Sequence, residues 1–173
     1  EFFGSCEAIA DAKSEIFESL APGGAALIPS DSLYAERLAA RAAQARVGRL
    51  VRFGTTGEAR LLSFAPEGEG MRIKADILGK TVDCLGGAPG EHIARNAVAA
   101  LAAVALVDGD VLNAAAALKN FTALKGRGAR FEVAGIQVID ESYNANPASM
   151  SAALALLAAA PGRKLAVLGD MLE

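Results

Sequence analysis

No phosphate-cradling loop of the form GxxxxGKS or GxxxxGKT occurs anywhere in the 173 residues, so the chain carries no Walker-type triphosphate site of its own. The nearest glycine cluster, Gly54-Thr55-Thr56-Gly57, lacks both the lysine and the spacing. Tryptophan is absent and aromatics make up 5%, which argues against base-stacking platforms for single-stranded nucleic acid. The net charge of -3 leaves no basic surplus for nucleic acid or anionic membrane. Two cysteines, Cys6 and Cys84, lie too far apart in sequence for a metal spacing and fit a reduced, cytoplasmic setting. One histidine, His92, cannot build a histidine metal site or a Ser-His-Asp set alone. No apolar run is long enough to cross a membrane; the longest, Ala97 to Val107, reads as a buried helix.

What is present is alanine-rich and apolar, with 53% hydrophobic residues, enough for a real core. Ser5 to Leu20 predicts an amphipathic helix capped by Ser5, followed by a short buried strand at Ala25 to Ile28. Asp31 or Ser32 is expected to cap a second helix to about Ala45, and Arg49 to Phe53 to form the next strand. This rhythm points to a parallel sheet. Short strands at Ala59–Phe64, Met71–Leu78 and Thr81–Cys84, separated by turns, predict an antiparallel meander attached to it. Helices follow at Glu91–Val107 and Val111–Asn120, then a linker at Thr122–Gly128. Strands at Phe131–Val133 and Ile136–Ile139, a helix at Ser149–Ala160 and a strand at Lys164–Leu168 read as the start of a second α/β domain. The chain opens without Met and stops just past that last strand, as though cut from a longer protein.

The densest functional stretch is VIDESYNANP, Val138 to Pro147. Strand, polar loop and helix follow one another there, and loops at the carboxyl ends of strands are where open α/β sheets hold ligands. Asp140, Tyr143, Asn144 and Asn146 offer hydroxyl, carboxylate and amide groups for a nucleotide or peptide; a turn with an Asx-type cap is the local alternative. Lys13 falls about 40° from Ile9 on a helical wheel, near the middle of the apolar face of Ile9, Ala12, Ile16, Phe17 and Leu20. There it must snorkel, find a partner, or be chemically altered, for example carbamylated to an anion that can hold Mg2+. His92 and Asn96 are four apart on one helix face. Asn96, at the edge of an apolar run, either caps locally or reads an adenine edge. Arg127 and Arg130, at the linker, are exposed loop charges or phosphate-reaching groups that act on domain closure.

FFGS with EAIADAKSEIF, PGEHIARNAVAALAA, KGRGARFE, VIDESYNANPASM and LAVLGDMLE occur in order along the chain. Together they resemble the Mur ligase family of peptidoglycan synthesis. The resemblance implies an α/β chain. Residues 1–125 would be the later part of a central parallel-sheet ATPase domain with an antiparallel meander, and 126–173 the beginning of a C-terminal Rossmann-like domain. It implies ATP and Mg2+ as cofactors, an acyl phosphate intermediate and closure between domains. The YNANP and LGDMLE segments are those of the branch that joins D-alanyl-D-alanine to a UDP-N-acetylmuramoyl-tripeptide. Cytoplasmic location, a monomer at full length and roles in cell shape and division follow from the same likeness. Lys13 matches the family's carbamylated lysine, Asn96 the asparagine near adenine, and Arg127 or Arg130 the arginine directed at the γ-phosphate. Asp140 matches the nucleotide-contacting aspartate, and Tyr143, Asn144 and Asn146 the loop near nucleotide and dipeptide. Ile93 stands where the family usually has Asn. The piece alone is expected to be inactive. The rival readings are a folylpolyglutamate synthase, against which YNANP argues, a non-catalytic nucleotide- or protein-binding α/β module, and a structural fragment with no ligand site.

Overall fold

The computed structural model describes residues 3–122 and 125–171. Phe2, the linker residues Ala123 and Leu124, and the end of the LGDMLE motif at Leu172 and Glu173 lie outside the described residues. The chain divides into two units, Glu1–Asn120 and Phe121–Glu173. No helix among the described residues is long and apolar enough to cross a membrane.

The first unit is built on a five-stranded mixed sheet in the order β1-β2-β3-β4-β5. Strands β1 (Ala25–Pro29) and β2 (Arg49–Gly54) are parallel, joined by α2 (Ala35–Gln44). Strand β3 (Ala59–Glu67) overlaps β2 only at Phe53–Ala59 and Gly54–Arg60. It therefore runs on past the carboxyl end of β2, which is how a short loop can link two parallel neighbours without a helical crossover. β4 (Gly70–Ile77) and β5 (Lys80–Gly86) complete an antiparallel meander. The mixed α/β architecture is the one expected.

Strand burial follows the two-residue period. β4 buries Met71, Ile73, Ala75 and Ile77, and β5 buries Val82 and Cys84. Against them lies α3 (Glu91–Leu106), which buries Ala94, Ala97, Val98, Leu101 and Ala102, and then α4 (Val111–Ala117), capped by Asp110. Alanine along α3 lets helix and sheet approach closely, with Leu101, Ile73 and Ile77 filling the space between. A second cluster, Phe17, Ala26, Ile28 and Ala42, packs with Leu20, Leu38 and Val47 beside β1 and α2.

The first helix departs from the sequence expectation. α1 spans Cys6–Ser14, with Ser5 capping Ala8 N–H as expected, but tightens into a 3₁₀ turn over Glu15–Ser19. The buried stripe is Ala10, Ser14 and Phe17, while Ile9 (39% exposed) and Ile16 (69% exposed) face outward. The reason is polar. Arg37 of α2 grips Asp11 through two hydrogen bonds of 2.7 and 2.6 Å. Arg41 donates to the buried Ser14 hydroxyl at 3.0 Å, which donates in turn to the Asp11 carbonyl at 2.6 Å. These bonds roll α1 so that small Ala10 and Ser14 meet α2, and Ile9 and Ile16 of the wheel's apolar stripe are left at the surface. The second helix also starts later than expected: a turn at Ser32 comes first, and neither Asp31 nor Ser32 is the cap.

In the second unit β6 (Ala129–Val133) and β7 (Ile136–Asp140) form an antiparallel hairpin through Ala134-Gly135, followed by α5 (Pro147–Ala159). Lys164–Leu168 is not a strand here. Leu165 and Val167 are 80% and 89% exposed, and no described residue pairs with them. A strand is defined by the neighbour that takes its hydrogen bonds, and an apolar run without one stays irregular.

Candidate functional site

In the first unit, the carboxyl ends of β1 and β2 and the first turns of α3 enclose a cleft of about 340 Å3. It is lined by Pro29, Asp31, Ser32, Phe53, Gly54, His92, Arg95 and Asn96. That size suits a small organic group such as a purine. Its floor is tied together by Asp31. One carboxylate oxygen accepts from Thr55 N–H at 2.9 Å and from Arg95 Nη1 at 2.8 Å. The other accepts from the Thr55 hydroxyl at 2.5 Å. Ser30 donates to the Thr56 carbonyl at 3.0 Å. Gly54 has φ of 146°, and a Cβ there would collide with the Asp31 carboxylate and Ser30 hydroxyl, so the chain needs glycine for Asp31 to seat against the β2 end. Partial burial draws the Asp31 carboxyl upward, but the Thr55 hydrogen bonds and the Arg95 charge outweigh it and hold it below the ordinary carboxylate value.

Asn96 and His92 share the α3 face that lines this cleft, as their spacing predicts. Asn96 is exposed and its amide makes no hydrogen bond among the described residues. It has no need of an internal partner, because it lies one step outside the buried stripe of Ala94, Ala97 and Val98. Its donor and acceptor are both available to a ligand. Ile93 is half-buried and does not line the cleft.

In the second unit, the loop after β7 is organised by Asp140. Its carboxylate accepts from Gly126 N–H at 3.0 Å, Ser142 N–H at 3.1 Å and the Ser142 hydroxyl at 2.6 Å. Its carbonyl accepts from Gly128 N–H at 2.8 Å, and Tyr143 N–H donates to the Gly126 carbonyl at 3.1 Å. The Ser142 bonds above all, with the Gly126 amide and Lys125, hold the Asp140 carboxyl below its ordinary value. Gly126 has φ of 76°, and a Cβ would meet Tyr143 Cβ at 2.9 Å. The loop thus clasps the turn that carries Arg127, whose guanidinium carbon lies 4.2 Å from the centre of the Tyr143 ring, a cation–π distance. Arg130 lies instead within β6, opposite Ile139. Asn146 caps α5: its side chain accepts from Ser149 N–H at 2.9 Å, and the Ser149 hydroxyl accepts from Asn146 N–H at 3.0 Å, a capping box completed by Pro147 at the first helical position. Asn144 accepts from Ala145 N–H at 2.9 Å. The cap reading of this loop therefore holds for Asn146, while Tyr143 stays 68% exposed.

Lys13 needs the plainest correction. It is exposed and is not among the residues lining the cleft, because the rolled α1 buries Ala10, Ser14 and Phe17 instead. Nothing about its burial calls for a chemical change.

Residues 1–104 match the Mur ligase middle domain, and residues 126–173 match the domain described as "Mur ligase, glutamate ligase domain". The chain belongs to the Mur ligase family. The UDP-N-acetylmuramoyl-tripeptide–D-alanyl-D-alanine ligase of Escherichia coli (strain K12) is 34% identical across the whole of this Mur ligase chain, which spans 38% of that relative's length. A crystal structure of MurF from Acinetobacter baumannii matches with a TM-score of 0.83 at 26% identity, over 94% of this chain and 35% of that one. Folylpolyglutamate synthase of Mycobacterium tuberculosis, complexed with ADP, matches with a TM-score of 0.78 at 27% identity, over 92% of this chain and 36% of that one.

Sequence reasoning on this Mur ligase chain missed Asp31, Thr55, Phe53 and Arg95. Asp31 was legible only as a helix cap, and Gly54-Thr55-Thr56-Gly57 was set aside for lacking a lysine. The available clue was a glycine pair directly after a strand, the mark of close backbone approach.

Proposed function

We propose that this chain forms part of an ATP-dependent amide-bond ligase that joins D-alanyl-D-alanine to a UDP-N-acetylmuramoyl-tripeptide in the cytoplasm, during peptidoglycan synthesis. The observation that carries the nucleotide part is the cleft at the ends of β1 and β2, walled by an Asn96 amide with no partner among the described residues. The match to a ligase complexed with ADP supports it. In the proposed reaction the tripeptide carboxylate takes the γ-phosphoryl group of ATP, giving an acyl phosphate and ADP. The dipeptide amine then attacks the acyl carbon, phosphate leaves, and the amide forms. Asn96 would hold the base through its paired donor and acceptor. Arg127, on a turn outside the strands, is the better suited of the two arginines to swing toward developing phosphate charge; Arg130 is fixed in β6. Tyr143, Asn144 and Asn146, with Asp140, would shape the loop beside nucleotide and dipeptide.

Among the described residues no group of three or more His, Cys, Asp or Glu side chains is placed to hold a metal ion; Mg2+ that arrives with a nucleotide needs only one or two carboxylates beside the phosphates. A carbamylated Lys13 would contribute one anionic ligand and no more.

Titration of the chain with ATP, followed by calorimetry and by the Asn96 side-chain amide resonance, tests the reading. Saturable binding that moves this resonance is expected. An unmoved resonance at millimolar nucleotide would overturn it. Titration with D-alanyl-D-alanine should move the Tyr143 and Asn144 resonances if the branch assignment is right. ATP turnover by the chain alone is expected to be negligible, because the sequence holds no P-loop; phosphate release well above a no-protein blank would refute this.

A further inference from the structure

We infer that Asp31 and Arg95 are positioning residues of the cleft, a clasp that sets the distance between its two walls. The inference rests on the nucleotide reading above. One wall is the β2 end, with Phe53 and Gly54; the other is α3, with His92 and Asn96. Among the described residues, the one side-chain hydrogen bond from α3 to the loops after β1 and β2 is Arg95 Nη1 to Asp31, at 2.8 Å. Asp31 is itself fixed to the β2 wall through the Thr55 amide and hydroxyl at 2.9 and 2.5 Å. The clasp thus runs from α3 through one carboxylate into the Gly54-Thr55 backbone. It is held at the helix end too, since Arg95 donates from Nε and Nη2 to Glu91 at 3.0 and 2.6 Å.

Two carboxylates, Asp31 and Glu91, engage the Arg95 guanidinium, so the fork is held from both sides where it lines the cleft.

The test uses adenosine, which has no phosphate, with inorganic triphosphate as the contrasting probe, on the full chain and on Asp31→Asn, Arg95→Gln and the double variant. Adenosine should move the Asn96 amide resonance, and inorganic triphosphate should leave it in place. Each single variant should weaken adenosine about tenfold, and the double variant little more than either single, since both break one clasp. Arg95→Lys should recover only part of the loss, because an ammonium cannot span Asp31 and Glu91 as the fork does. Melting curves and the Thr55 amide exchange rate show whether each variant is folded. Asp31→Asn should speed Thr55 exchange while Arg95→Gln leaves it slow. Loss of adenosine binding in Asp31→Asn but not in Arg95→Gln would mean that Asp31 only holds the Thr55 turn, and the clasp would be refuted. Equal binding by all variants would refute it while leaving the nucleotide reading intact. A parent chain that ignores adenosine would overturn both.

Discussion

The two units treat similar apolar helices differently. In the first, α3 lies on a sheet and buries Ala94, Val98 and Leu101 almost completely; in the second, α5 is at least as apolar in composition, yet buries no residue among those described. The first unit spreads its core over five strands, with helices packed on it in two clusters. The second has a two-stranded hairpin, which alone offers too little surface to cover a helix. Helix formation and helix burial are thus separate matters. α5 is written locally, by Asn146, Pro147, Ser149 and a run of good helix formers, whereas α3 is held by what it packs against.

The sharpest way to break this contrast is a pair of truncations. Leu101→Ala should destabilise the first unit by about 2–5 kcal/mol, as a cavity in a closed core does. Leu154→Ala in α5, at a site 41% exposed, should change stability by about 1 kcal/mol or less. Chemical denaturation with probes in each unit measures both, and equal losses would erase the distinction. Next in size is Gly126→Ala, expected to cost about 1–3 kcal/mol locally because it forces a side chain into a left-handed conformation against Tyr143. Its readout is release of the Arg127–Tyr143 contact, seen in the ring resonances of Tyr143. Asn146→Ala should remove about 0.5–2 kcal/mol of α5 helix stability, with Asn146→Asp largely neutral; circular dichroism checks it. If α5 were held by packing, the cap would hardly matter.

The smallest expected effects are on pH. Asp140 and Asp31 both titrate below the ordinary aspartate value of 3.8 in the folded chain. Their contributions are therefore fully present above that value and are lost as pH falls through the lower folded pKa. Amide exchange at Gly126 and Ser142 should accelerate on acidification below about pH 4, and Asp140→Asn should abolish that pH response. A loop that loosens on raising pH from 5 to 7 would contradict the sign.

Much of this Mur ligase fold was legible beforehand. The meander strands β4 and β5, the Ser5 cap and the strands β6 and β7 are local signatures, and each falls close to where it is expected. In the site, Asn96 and His92 could be placed on one face because helical spacing is fixed. Lys13 could not be placed. Its surroundings depend on Arg37 and Arg41 of another helix, and a helical wheel cannot see hydrogen bonds that roll α1 toward α2. Asp31 and Arg95 were invisible for a related reason: 64 positions separate them, and nothing in either neighbourhood announces the other.

The order of residues by itself determined most of the helices, strands and turns, since propensity, capping and period act over a few positions, while Lys164–Leu168 shows that a strand also needs a partner. It also determined the loop chemistry of Ser142 to Asn146 and the absence of a P-loop. Only the tertiary structure decided which helix face is buried, that Asp140 clasps the Gly126 turn, and that Asp31 joins two walls of one cleft. Those outcomes rest on contacts between distant segments, whose geometry exists only once the sheet has brought them together.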